Sequence, residues 1–323
     1  MSYALGIDIG GTKIAIGVIA ADGRVLAQRL LPTDSRQEFQ ASIRSIVGAV
    51  SAALEESGVP RGDVAGVGVG CAGPVDPQRG EINNPYTLPG WEGRNIVKAL
   101  TDGLDLPVWL ENDADAAAIG EYYFGAGQRA ERLVVLTVGT GVGGAIVIDG
   151  DIYRGADGQH PEIGHIPISV NGPDCYCGRK GCLESLISGR AIAAAGREYG
   201  FTDAASVFSA ASHDHRARDI LSGAQGAIEA AMWSVVHFFL PTRIVLGGGL
   251  VESHEHFFID AARRAVSHAC LLAHGTTTVA PAGLGNLAGM VGAGRWALEH
   301  ARPRALAPLD GAHSSHRAAP PAL

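Results

Sequence analysis

LGIDIGGTKIAIGVIAADG, residues 5–23, is the stretch on which the architecture turns. Its apolar, β-branched parts, Tyr3–Ile9 and 13–19, read as two strands joined at Gly10-Gly11. Asp22-Gly23 marks a second tight turn, and 24–31 alternates behind it as a third strand. The same layout returns about 130 residues later in VVLTVGTGVGGAIVIDG, 134–150. Each copy runs apolar strand, polar residue, glycine-rich turn, apolar strand, Asp-Gly turn. A hairpin needs one or two glycines, yet the second copy carries Gly139, Gly141, Gly143 and Gly144. The doubling predicts two similar α/β lobes facing each other, with the surplus glycines lying against a ligand.

Working outward, 36–57 has helical apolar spacing and stops at Gly58, 64–70 is a buried-strand run, and 71–94 is an irregular loop. Ile96–Leu104 reads as a helix, 108–111 as a strand and Asp113–Phe124 as a helix. In the second half 133–138, 143–148 and 151–154 read as strands, followed by helices at 183–199, 203–211 and 214–240. A strand at 244–246, a helix at 254–272, a strand at 276–280 and a last helix at 286–300 complete the folded part. The Pro/Ala/His-rich 303–323 reads as a disordered tail. The lobes divide at 1–115, joined by 286–300, and 116–285, which includes a Cys/His loop at 158–184.

Composition narrows the function. At 323 residues, two domains are the prior, and 46% hydrophobic residues with 18% charged ones exclude disorder for most of the chain. Glycine, 45 residues, is at about twice its usual share without a Gly-X-Y period, so collagen is excluded. A net charge of -8 without a basic stripe argues against nucleic acid. No long apolar run argues for a membrane span, and the first residues lack a basic leader, so a cytoplasmic location is expected. Three of five cysteines crowd into 175–182, which in a reducing compartment suggests metal before disulfide.

Phosphates need closely spaced backbone N–H groups with no Cβ in the way. Gly10, Gly11, Thr12 and Lys13 supply such a cradle, with a hydroxyl and a positive charge, and Asp8 at the strand end could hold Mg²⁺. Thr137, Gly139, Thr140 and Gly141 supply a second. Together they predict a polyphosphate held between two lobes. Gly247, Gly248 and Gly249 are a third close approach, suited equally to a nucleotide or to a plain strand-to-helix turn. His165, Cys175, Cys177 and Cys182 form H-x9-C-x-C-x4-C, three thiols and an imidazole suited to a closed structural zinc site. Free thiols, or a disulfide from Cys175 or Cys177 to Cys182, are the weaker readings. Asp113 sits where a strand meets a helix, equally suited to a general base or a helix N-cap. Glu162 and His165, three apart, could share one face or be a surface pair.

DIGGTK, TVGTGVGG, PEIGH and CYCGRKGCLES resemble the ROK family of sugar kinases and sugar-responsive repressors, over about residues 4–298. The resemblance implies two ribonuclease-H-like lobes of the actin-like ATPase type, with an interlobe cleft. It implies transfer of phosphate from ATP to a hexose hydroxyl, glucose to glucose 6-phosphate first. Fructose, mannose and N-acetylhexosamines are the alternatives. It implies that Asp113 is the base and that Asn112, Glu162, His165, Glu184 and one of Asn83 and Asn84 contact the sugar, with His165 also on zinc. It implies a homodimer. Pro161 and Ala145 depart from the commoner family pattern, and His160-Pro161 resembles fructokinase-like members. A sugar-sensing repressor is disfavoured by the acidic charge and by the first glycine turn starting at Gly10. A sugar-independent ATPase is disfavoured by the Cys/His segment.

Overall fold

The computed structural model describes residues 2–34, 38–269 and 277–301. The expected tail, 303–323, lies outside the described residues, as do the ends at which 254–272 and 276–280 were expected to meet. The first lobe opens with β1 (Tyr3–Ile9), β2 (Lys13–Ala20), β3 (Val25–Pro32), helix α1 (Phe39–Ser57) and β4 (Val64–Cys71). Short strands β5 (Val75–Asp76), β6 (Glu81–Ile82) and β7 (Arg94–Asn95) follow, then α2 (Ile96–Leu104), β8 (Val108–Asn112) and α3 (Asp113–Phe124). The second lobe brings β9 (Arg132–Val138), β10 (Val142–Ile148), β11 (Asp151–Ile152), α4 (Glu184–Ile187), α5 (Gly189–Gly196), α6 (Ala204–Ala210) and α7 (His215–Phe239). Its remaining elements are β12 (Arg243–Gly247), α8 (Gly249–Ser253), α9 (Glu255–Ser267) and β13 (Thr278–Pro281), before α10 (Ala288–His300) closes the described chain.

The expected duplication is present in the sheets. One has the order β3-β2-β1-β4-β8 and the other β11-β10-β9-β12-β13, so each element has a counterpart. In both, the opening strand pairs antiparallel with its hairpin partner and parallel with the strand on its other side. Parallel central strands are covered on both faces, which explains why β4, VAGVGVGC, is buried at every position. One apolar core gathers Ile7, Ile9 and Ile16 with Ile46 and Val50 of α1 and Leu100 of α2. The other gathers Leu136 and Ile146 with Val235 of α7 and Phe258 of α9.

Two helices join the lobes. α10 packs on β1, β2 and β4, α3 packs on β9 and β10, and the two helices cross each other. They cross so closely that only glycine fits. A Cβ on Gly292 would overlap the Ala116 carbonyl oxygen, and one on Gly120 the Ala288 carbonyl. The chain runs from α3 on to β9 in the second sheet, and from β13 of that sheet back to α10. The buried Glu121 carboxylate ties both connections, accepting from the N–H groups of Ala126 (2.8 Å), Gly283 (2.9 Å) and Leu284 (2.8 Å).

Three local expectations are corrected. The helix over 183–199 breaks at Ser188, whose extended backbone (ψ 159°) and Oγ, accepting from the Ala191 N–H, cap α5 afresh. The irregular loop over 71–94 contains the small β5-β6-β7 sheet. Residues 151–154 form a strand only at Asp151–Ile152, with Tyr153 N–H still donating to Ile146 O at 2.8 Å.

Candidate functional site

The β1–β2 turn is held from within the first lobe. Gly10 N–H donates to Lys13 O at 3.0 Å, and Thr33 clasps the turn through Oγ1 on Gly10 O and N–H on Thr12 O. Gly11, Thr12 and Lys13 are left exposed. The β9–β10 turn has Gly139 N–H on Gly141 O at 2.9 Å, and Gly189, at the start of α5, donates to Gly139 O at 2.8 Å. At Gly247-Gly248-Gly249, Gly248 adopts φ +92° against the Val138 backbone and α8 begins. The strand-to-helix turn is therefore real, and it also walls the cleft.

That cleft, about 140 Å³, brings together Asp8, Lys13, Asp113, Thr137, Gly247 and Gly248, which the sequence singled out. It adds Glu121 and Asn286, which the sequence did not. Gly10, Gly11, Thr12, Gly139, Thr140, Gly141 and Gly249 do not line it. Lys13 Nζ donates to Asn286 Oδ1 at 3.0 Å, and Asn286 in turn donates to Glu252 of α8. A hydrogen-bonded chain thus spans the cleft. Burial and the nearby Asp113 charge push the Asp8 carboxyl up to about 7, against the pull of Lys13. Burial pushes Asp113 up to about 6, opposed by the Ala114 N–H and by the charge of His160. Three carboxylates and one ammonium line the pocket, and with Glu121 held by three backbone N–H groups, Asp8, Asp113 and Lys13 form a place where a base can work near neutrality and a hard cation would be welcome.

The β8–α3 junction settles which residue caps the helix. Asn112, with extended backbone (φ -64°, ψ 148°), accepts on Oδ1 from the N–H groups of Ala114 (2.8 Å) and Asp115 (3.3 Å). The cap is thus not Asp113, the alternative to its reading as a base, but the residue before it, because the capping side chain must sit on the last non-helical position. Asp113 is left with one bond, from the Ala114 N–H at 2.9 Å, and its carboxylate faces the cleft. The same result limits what Asn112 can offer a sugar. Its oxygen is used by the helix, and only its Nδ2 is left for a ligand.

The two candidate asparagines separate. Asn84 is buried and pins its loop: Oδ1 accepts from the N–H groups of Tyr86 and Thr87, and Nδ2 donates to Ala72 O and Thr87 Oγ1. Asn83 is exposed, with its N–H on Pro74 O. Glu184 is buried and occupied: Oε2 accepts from Val142 N–H at 2.8 Å and Oε1 pairs with Arg190 at 3.2 Å. It therefore braces the second glycine turn. Glu162 precedes a short helical turn, Ile163–His165, and keeps an exposed carboxylate.

His165, Cys175, Cys177 and Cys182 come together, their donor atoms all within 4.8 Å of one another. Cys177 and Cys182 sulfurs are 3.5 Å apart, too far for a disulfide, and all are free thiols. His165 turns Nδ1 toward Cys175 Sγ (3.5 Å), and its Nε2 meets Tyr176 Oη at 3.0 Å. Three sulfurs and an imidazole at this spacing fit a tetrahedral zinc ion. Tyr176 also packs on Tyr86 of the first lobe, ring centroids 4.6 Å apart. Among the isolated histidines, His254 stacks on Phe208 at 3.6 Å, a packing role.

The ROK family model matches residues 4–300. Over 307 residues the chain is 31% identical to a glucokinase of Thermotoga maritima, covering 90% of this chain and 95% of that one. It is 38% identical over 219 residues to an N-acetylmannosamine kinase of Escherichia coli O139:H28, covering 67% of this chain and 72% of that one. It matches the crystal structure of a ROK family glucokinase from Streptomyces griseus in complex with glucose and AMPPNP, with a TM-score of 0.76 and 32% identity, covering 92% of this chain and 99% of that one.

Proposed function

The chain belongs to the ROK family, and from that premise we propose that it transfers the γ-phosphoryl group of ATP to a hexose hydroxyl, glucose at its 6-position first. One observation carries the reading. Asp113, relieved of capping by Asn112, faces a cleft where Asp8 and Lys13 meet the uncharged Thr137 and Gly247-Gly248 backbone. The triphosphate lies against the glycine turns, with Lys13 exchanging Asn286 for phosphate oxygen. The hexose lies beside Glu162, His165 and Asn83. Asp113 accepts the hydroxyl proton as the oxygen attacks in line, and a carboxyl titrating near 6 is mostly ionised at neutral pH. Closing the lobes about the α3–α10 crossing excludes water and protects ATP from hydrolysis.

Asp8 fits a magnesium ion: a half-buried carboxylate beside a second one gains from a divalent cation. Bound there, Mg²⁺ would offset phosphate charge. The Cys/His cluster fits structural zinc, which would fix the loop that carries Glu184. Family resemblance supports a cytoplasmic homodimer acting at the entry of glycolysis. No helix of the described residues is long and apolar enough to cross a membrane. The packing of α10 on β1, β2 and β4 supports a lobe made of 1–115 and 286–300 around the cleft from 116–285.

A second acceptor class, an N-acetylhexosamine, is favoured by the 38% identity to the N-acetylmannosamine kinase. Coupled ADP release over glucose, fructose, mannose, N-acetylmannosamine and N-acetylglucosamine decides. The expected result is sugar-dependent ADP with the highest kcat/KM for glucose. Sugar-independent ADP would make the chain a plain ATPase, and no ADP with any sugar would make it a sensor.

A further inference from the structure

Behind the acceptor side of the cleft lies a group of buried charges that no motif announced. Glu111 is the penultimate residue of β8, Asp115 lies in the first turn of α3, and Arg154 follows β11. Arg154 pairs with Glu111 at 2.6 Å and also with Asp115, and both carboxylates are buried. One guanidinium faces two buried carboxylates; burial, then the Asp115 charge, pushes Glu111 up to about 7 against Arg154, and it is the Asp115 charge that acts on Asp113. The next potential cation is His160, whose side chain is only 17% exposed. Its Nε2 stands 3.4 Å from Glu162 Oε1, and its buried Nδ1 bonds to no protein atom among the described residues. The ring is anchored through Nε2 alone, so it and the Glu162 carboxylate hold each other. The order His-Pro-Glu favours this, since the residue before proline is held extended, where side chains two apart share a side. A Cβ built on Gly73 would lie 3.9 Å from His160 Nε2 and 2.8 Å from Asn112 Nδ2, so the ring reaches the same hollow as the remaining Asn112 amide.

Resting on the reading of Asp113 as base, we propose that His160 is a positioning residue for the transfer: its charged ring orients Glu162 toward the sugar and offsets the field of Asp115 at Asp113. The directions of titration agree. Hydrogen bonding to His160 lowers Glu162 below its ordinary value. Glu162 and Asp115 lift His160 above its own, against burial and Arg154. Asp113 is pulled down by His160 and pushed up by burial and Asp115. Asp8 of β1 also faces Asp113 electrostatically, as does Cys71 at the end of β4, and Lys13 and Glu121 line the same cleft. Near pH 6 the lifted His160 carries its charge, so removing it raises the pH at which Asp113 ionises.

The test is the pH profile of kcat/KM for the best hexose, read by ADP release, for the wild type, His160→Asn, His160→Ala and Asp113→Asn. Asparagine keeps a donor for Glu162 without the charge. The acid limb should move to higher pH in both His160 variants. Hexose KM should rise about tenfold in His160→Ala and stay within about twofold in His160→Asn. ATP KM should not change in either. An acid limb unmoved in folded His160→Asn overturns the proposal, and that variant decides alone if His160→Ala does not fold. Full activity in Asp113→Asn instead sinks the reading on which the proposal stands. An unmoved limb alongside an inactive Asp113→Asn sinks the His160 assignment only.

Discussion

The two glycine turns share their flanking strands and differ in what keeps them rigid. The β1–β2 turn carries its own chemistry, since Asp8 and Lys13 both reach the cleft, and it is clasped by Thr33 of its own sheet. The β9–β10 turn has no charged side chain. It is stiffened from outside, by Gly189 N–H on Gly139 O and by Glu184 on Val142 N–H. Glu184 comes two residues after Cys182, so this turn leans on the Cys/His loop. A duplicated scaffold has thus divided its labour: one copy brings charged side chains to the cleft, the other a backbone braced from outside.

The sharpest break of that division is at the charged side. Asp113→Asn should lower kcat at least about 100-fold while hexose KM barely moves, because the proton has nowhere to go in the transition state. In the wild type, kcat/KM for the hexose should rise as pH rises through about 6, since burial has raised the carboxyl and only its ionised form is a base. Steady-state kinetics on both proteins check each statement, and a folded, fully active Asp113→Asn removes the base from the account.

The uncharged side is tested through its brace. Cys182→Ser, or a strong chelator, should lower Tm by roughly 10 °C, as loss of a structural zinc site does. It should also raise ATP KM, because Glu184 loosens with the loop. Elemental analysis and calorimetry decide, and metal-free protein with an unchanged Tm would cut the proposed tie between loop and turn. The smallest effect belongs to Lys13. Lys13→Met should raise ATP KM about tenfold, the value of a charge-assisted hydrogen bond, with hexose KM unaffected. Equal loss for both substrates would mean that the Lys13–Asn286 contact serves lobe closure rather than phosphate.

Most of the fold was legible because its signals are local. Alternating β-branched runs, glycine turns and helical spacing placed β1, α2 and α3 at their observed bounds. The His/Cys cluster was legible for the same reason, its ligands being confined to 165–182. The asparagines were not, because Asn83 and Asn84 differ only in which way the loop turns them. The break at Ser188 was missed because its neighbours are good helix formers and the interruption comes from a single side chain reaching the Ala191 N–H.

From the chain of letters alone came the two lobes, the places of their turns, the cluster of sulfurs and the pairing of a carboxylate with a strand end. Folding decided the rest: that Asn112 and not Asp113 caps α3, that Glu121 ties backbone 162 residues away, and that Lys13 meets Asn286. Strand and turn propensities act over a few neighbours, and a one-dimensional pattern records them. A carboxylate's ionisation depends on burial and on charges brought in from distant segments, and that surrounding exists only once the two lobes have packed across α3 and α10.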